Sequence, residues 1–104
     1  MDEPKLPDDC STMAEVRAGV DATDRALMLL LDRRFGYMRA AARIKPDRGI
    51  VRDEARKAAV IDNVRTDAMS RKLPAEALAT IWDQLVEASI AYELEEWDRL
   101  RSQP

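Results

Sequence analysis

From Met13 onward one set of positions recurs at alternating steps of three and four: Met13, Val16, Val20, Thr23, Leu27, Leu30, Arg34, Tyr37, Ala41 and Ile44. Nearly all of them are apolar, which is the heptad spacing of a helix that covers one stripe. Thr12 and Glu15 stand three apart at its start, the capping-box pattern in which each side chain accepts from the other's backbone amide. No proline follows until Pro46, and a proline disfavours helical backbone at the residue before it. The pattern predicts one helix from about Met13 to about Lys45, running unbroken through Gly36. An interior glycine costs about 1 kcal/mol relative to alanine and more often thins a helix surface than ends it. Residues 1–11, with Pro4 and Pro7, are expected as an N-terminal tail.

Pro46-Asp47-Arg48-Gly49 reads as a loop from its turn residues. A second helix is expected from about Asp53 to Arg71, with Ala55, Ala59, Val60, Val64, Ala68 and Met69 as its apolar positions. Pro74 suits the first turn of a third helix, expected to run to about Leu100. Its stripe is Leu78, Ile81/Trp82, Leu85, Ser89, Tyr92/Glu93, Trp97 and Leu100. No segment alternates as a strand would, so the fold class is all-α: a single domain over residues 1–104 with three helices, one of them very long. That first helix would be about 50 Å long. A compact domain of this size has a diameter of only about 33 Å. An apolar stripe that its own chain cannot cover calls for a second chain, and a helical dimer is expected.

Composition changes this picture in one place. The 104 residues carry 17 basic and 20 acidic side chains, a net charge of −3 that argues against non-specific nucleic-acid binding. The distribution is uneven: residues 33–57 hold +6, whereas residues 1–32 and 74–104 hold −5 each. Cys10 is the only cysteine and there is no histidine, which excludes an intrachain disulfide and a Cys/His zinc site. No apolar run approaches the ~18 residues of a membrane span. The start, MDEPKLPDD, lacks the basic and apolar regions of a secretory signal, and a cytoplasmic protein is expected.

Two stripes contain residues foreign to a plain core. Arg34 sits between Leu30 and Tyr37, and Ser89 and Glu93 sit between Leu85 and Trp97. A buried guanidinium or carboxylate is costly unless paired. Arg34 and Glu93 pairing with each other, or reaching the surface, would satisfy that need without any ligand. Helical geometry offers another solution. Arg34 and Lys45 are eleven residues apart, within about 20° of one face and ~16 Å along the axis, so both side chains could converge on one small anion. Arg17 lies ~25 Å from Arg34 along the same helix, too far for the same site unless it serves the site of a neighbouring chain. Arg56, early in the second helix, is a further candidate. Arginine's planar fork suits carboxylates, so several converging cations imply a ligand with more than one carboxylate. Arg33, Arg39 and Arg43 fall off this face and are expected as solvated charges.

The ordered segments "AEVRAGVDATDRALMLLLDRRFGYMRAAARIK", "VRDEARKAAVI" and "LVEASIAYELEEW" resemble the all-α (AroQ-class) chorismate mutases and their relatives, the isochorismate–pyruvate lyases of salicylate biosynthesis. The resemblance covers roughly residues 9–99. It implies an intertwined homodimer of three-helix chains, a small dicarboxylate substrate, and no metal or organic cofactor. By the same resemblance Arg17 would enter the neighbouring chain's site and grip a carboxylate. Arg34 would hold the other carboxylate, and Lys45 would contact carboxylate and ether oxygen. Asp53 matches an acidic position near the ring hydroxyl, Arg56 the arginine of the second helix, and Ser89 a serine that helps position substrate. Glu93 matches the Gln/Glu position that donates to the ether oxygen. Lys57 departs from the mutases, which often carry a glutamate there that binds the ring hydroxyl. The N-terminal "DDCSTMAEVRAGVD" is closer to the lyases, whereas Asp53 and Ser89 are mutase-like and Glu93 replaces the lyases' usual glutamine.

The implied activity is the rearrangement of chorismate to prephenate for aromatic amino-acid (Phe/Tyr) synthesis, a unimolecular pericyclic reaction. It needs no nucleophile and no base, which suits a chain without histidine. Lys45, Glu93 and Arg34 are the expected catalytic side chains. The alternatives are an isochorismate–pyruvate lyase giving salicylate and pyruvate in a siderophore-type pathway, and a non-enzymatic helical dimer that binds an anion or a protein. Neither nucleic acid nor membrane is expected as a partner.

Overall fold

The computed structural model describes residues 3–102. In chain order it forms helices α1 (Met13–Ile44), α2 (Glu54–Ser70) and α3 (Ala75–Arg101), with short 3-10 turns at Pro7–Asp9 and Arg48–Ile50. No strand occurs among the described residues, as the all-α pattern requires. α1 continues through Gly36, where an added Cβ would meet only the far end of the Arg39 side chain, at 3.3 Å. None of the helices is long and apolar enough to cross a membrane. The chain divides into two compact units, Met1–Arg34 and Phe35–Pro104.

In the first unit the capping box forms as its spacing predicts. Glu15 N–H donates to Thr12 Oγ1 at 3.1 Å, and Thr12 N–H donates to Glu15 Oε1 at 3.1 Å. The same carboxylate oxygen accepts from Ser11 N–H and Ser11 Oγ, and Lys5 forms an ion pair with the other oxygen. The Lys5 ammonium, followed by the Ser11 amide, holds the Glu15 carboxyl down at about 2. The tail is therefore more ordered than its prolines suggest: it carries a 3-10 turn, and Cys10 Sγ lies 3.5 Å from Leu6 O as a free thiol. A groove of about 580 Å³ opens between this tail and Val16, Val20 and Thr23 of α1, but no candidate site residue lines it. Along the heptad stripe of this unit the side chains from Met13 to Leu30 are exposed. Val20, Leu27 and Leu30 are 52%, 49% and 57% exposed.

The second unit holds the core. Val51, Val86 and Ile90 are buried together, with Val60, Ile61, Leu94 and Trp97 packed around them. Burial of a valine or isoleucine, as at Val51, Val86 and Ile90, contributes about 1.5–3 kcal/mol by removing it from water. α3 buries Ser89 and Glu93 of the stripe its periodicity predicts, together with Ala79, Val86 and Ile90 beside it, whereas Ile81 of that stripe is 56% exposed. α3 is apolar on more than one face, and periodicity finds such faces without telling which of them meets the helix's own chain. α2 ends with Lys72 in the left-handed region (φ 59°) while Leu73 N–H donates to Ala68 O at 2.9 Å, a C-terminal cap built without glycine.

Charged side chains tie the start of α2 to α3. Arg52 reaches Glu87 in a two-pronged contact (2.7 and 3.0 Å) and also Glu54 at 2.8 Å. Lys57 Nζ lies 2.8 Å from both Asp83 and Glu87. Arg52, then Lys57, pull the Glu87 carboxyl down to about 2. A carboxylate whose folded-state value lies below its ordinary 4.5 stabilises the fold above that value. This contribution is lost as pH falls from about 4.5 towards 2. The melting temperature is expected to drop across that window, and Glu87→Gln should flatten part of the drop. An unchanged acid limb in the variant would show that the cluster contributes nothing.

Candidate active site

Lys45 closes α1. Its N–H donates to Ala41 O at 2.9 Å, and Pro46 then stops the helix. Glu93 lies on the inner face of α3, 4% exposed. Burying a carboxylate there requires a cation, and Lys45 supplies it: Nζ stands 2.7 Å from Glu93 Oε2. This contact is electrostatic rather than a well-directed hydrogen bond, and Oε2 accepts no hydrogen bond among the described residues. The ammonium also points towards Val51 O at 3.4 Å. The carboxylate is buried while its ammonium partner is partly exposed, which leaves Lys45 able to donate to a bound polar ligand. Glu93 thus takes Lys45 as its ion-pair partner, and a pairing with Arg34 is not needed to explain its burial.

One helical turn earlier, Ser89 is 3% exposed and donates its hydroxyl to Leu85 O at 2.7 Å. Spacing of four places it on the same face as Glu93. Tyr92 is flanked by Phe35, ring centroids 4.9 Å apart in an edge-on arrangement, and its hydroxyl oxygen accepts from Arg39 at 2.7 Å. Arg39 is therefore not the purely solvated charge expected of it.

Asp53 is the N-cap of α2, where Oδ1 accepts from Arg56 N–H at 2.9 Å. One carboxylate oxygen is thus committed to holding the helix start. Arg56 projects from that first turn, exposed and without an ion-pair partner among the described residues, so its guanidinium is open to an anion. Lys57, the next residue, is occupied by Asp83 and Glu87 on α3. In the first unit Arg17 is exposed and Arg34 half-buried, both on α1. The structure thus brings Lys45, Glu93 and Ser89 to one place, and puts Asp53 and Arg56 at the head of α2.

Residues 16–94 match the chorismate mutase type II family, three-quarters of the chain. The chain belongs to that family. Among curated proteins this chorismate mutase type II member is similar to an isochorismate pyruvate lyase of Pseudomonas aeruginosa. The two are 28% identical over 97 residues, which covers 93% of this chain and 96% of the relative.

Two residues of this family member's site region escape the sequence pattern. Trp97 Nε1 donates to Lys45 O at 3.0 Å, and Arg101 donates to Ala42 O and to Lys45 O, both at 2.8 Å. Trp97 is legible only as an apolar stripe residue, and Arg101 gives no signal, being one arginine at the end of a charged helix. The clue available was Pro46, which leaves a carbonyl of α1 without its usual donor.

Proposed function

We propose that this chain is a chorismate mutase that converts chorismate to prephenate. The observation that carries the reading is the Lys45–Glu93 pair, in which a buried carboxylate meets a partly exposed ammonium. The rearrangement breaks a C–O bond as a C–C bond forms within one molecule. The protein must hold the chair-like conformer and stabilise negative charge developing on the ether oxygen. Holding a substrate in its reactive conformer supplies several kcal/mol. A donor preorganised at the oxyanion supplies about 3 kcal/mol more. Lys45 is such a donor by its charge, and Glu93 becomes one when protonated. Arg34 and Arg56 hold carboxylates of the substrate, Asp53 keeps an oxygen for its ring hydroxyl, and Ser89 shapes the floor.

The working form is an intertwined homodimer. The exposed stripe through Val20, Leu27 and Leu30 favours a second chain, and Arg17 then serves the neighbour's site. The setting is the cytoplasm, and the product feeds aromatic amino-acid synthesis.

A second reading, an isochorismate–pyruvate lyase, is favoured by the similarity to the Pseudomonas aeruginosa protein along nearly all of both chains. Incubating the purified protein separately with chorismate and isochorismate distinguishes them. Prephenate from chorismate is the expected product. Salicylate and pyruvate from isochorismate, without prephenate, would instead favour the lyase. Inertness towards both would leave a non-enzymatic helical dimer.

A further inference from the structure

Pro46 has no N–H, so Ala42 O cannot receive the bond that the fourth residue onward normally gives it. Ala42 is fully buried and Lys45 half-buried. An unsatisfied buried carbonyl costs about 1–3 kcal/mol, so a donor must come from elsewhere. It comes from the far end of α3: the Arg101 guanidinium bridges Ala42 O and Lys45 O, both at 2.8 Å. Trp97 Nε1 takes the second lone pair of Lys45 O at 3.0 Å, and the guanidinium lies over the Trp97 ring, 4.2 Å from its centroid. The ring and the two carbonyls leave the fork one orientation.

Glu93, Trp97 and Arg101 are spaced by four, one face of α3 over two turns. This face grips Lys45 at both ends, the ammonium by Glu93 and the main-chain carbonyl by Trp97 and Arg101. A lysine has a long flexible stem, and an ammonium placed at the end of a fraying helix would sample many positions. Here the last turn is fixed from behind.

We infer that Arg101 is a positioning residue, which replaces the amide that Pro46 lacks and thereby sets where the Lys45 ammonium stands. This rests on the proposed role of Lys45 at the substrate's oxygen. Arg101 touches no substrate in this scheme, and its effect passes through the α1 backbone. Arg101→Gln offers shorter reach to the carbonyls and loses the charge, while Arg101→Lys keeps the charge but cannot span both.

The test pairs turnover with a measurement on Lys45 itself. In Arg101→Gln, kcat is expected to fall about tenfold or more with KM within about threefold of wild type, since a small misplacement of a reacting group can cost up to about a hundredfold. Arg101→Lys should fall between the two. Acylation of Lys45 by a soluble amine reagent, followed by mass spectrometry, should accelerate severalfold in Arg101→Gln, with Lys57 as an internal control that does not change. Unchanged kcat together with unchanged Lys45 acylation would overturn the inference. So would equal acceleration at Lys45 and Lys57, which marks general loosening. If Arg101→Gln does not fold by circular dichroism, the same two readings on Arg101→Lys decide. Faster Lys45 acylation in a protein that turns over neither chorismate nor isochorismate would keep the clamp but remove its catalytic meaning, and the positioning role would fall with the proposed function.

Discussion

Lys45→Ala is expected to lower kcat for prephenate formation by a factor of about 10²–10³ or more, the usual loss when a preorganised donor is removed from a developing oxyanion. Arg34→Ala should do comparable damage by releasing a substrate carboxylate, with a larger share in KM. The Lys45 change has a second consequence that must be separated from the first. It strands Glu93, 4% exposed, without its cation. Breaking a buried pair in this way commonly costs about 3–5 kcal/mol of stability. A double variant, Lys45→Met with Glu93→Gln, removes both charges and should recover much of the melting temperature while remaining as slow as Lys45→Ala. Near-normal turnover in Lys45→Ala or in Arg34→Ala would show that the pocket is not the one described.

Glu93→Gln is the more selective test. A glutamine amide donates at every pH, whereas a carboxyl donates only while it holds its proton. The glutamine variant is expected to keep or raise the rate of prephenate formation, because its amide offers the ether oxygen a donor without first having to gain a proton. Stopped assays of prephenate at neutral pH check it. A large loss of rate would remove Glu93 from contact with the ether oxygen.

The periodicity of apolar residues was sufficient for the elements themselves. Met13–Ile44, Glu54–Ser70 and Ala75–Arg101 each fall within a residue of the bounds predicted from caps and prolines. The reason is local: Thr12, Asp53 and Pro74 act on the turn next to them. The foreign residues in a stripe were equally legible, because a carboxylate at Glu93 has no place in an apolar face unless something answers it. What answers it was not legible. Lys45 and Glu93 are 48 positions apart, and no pattern within one helix fixes which cation meets which carboxylate. Pairing depends on how α3 is rotated on α2: Ser89 and Glu93 of its stripe are buried, but Ile81 is 56% exposed, so the edge of the stripe was not fixed by periodicity. Arg101 was invisible for the same reason, since its partners are carbonyl oxygens, which no sequence displays.

The ion pairs of the second unit join the two ends of the charge distribution. Lys45, Arg48, Arg52 and Lys57 come from the basic stretch, and their partners Glu93, Asp98, Glu87 and Asp83 all stand on α3. Four of the nine cations in the basic stretch thus have their counterions on the acidic helix. A surface whose charges are cancelled within 3 Å has little field left at a Debye length, about 8 Å at physiological salt. A polyanion approaching from solution would feel little pull from these four cations. On the proposed function, a small dianion would gain only on arrival, where Arg56 has no ion-pair partner among the described residues and where the Lys45 ammonium stands beside Glu93, so that selection among anions would be made by fit at close range rather than by attraction from afar.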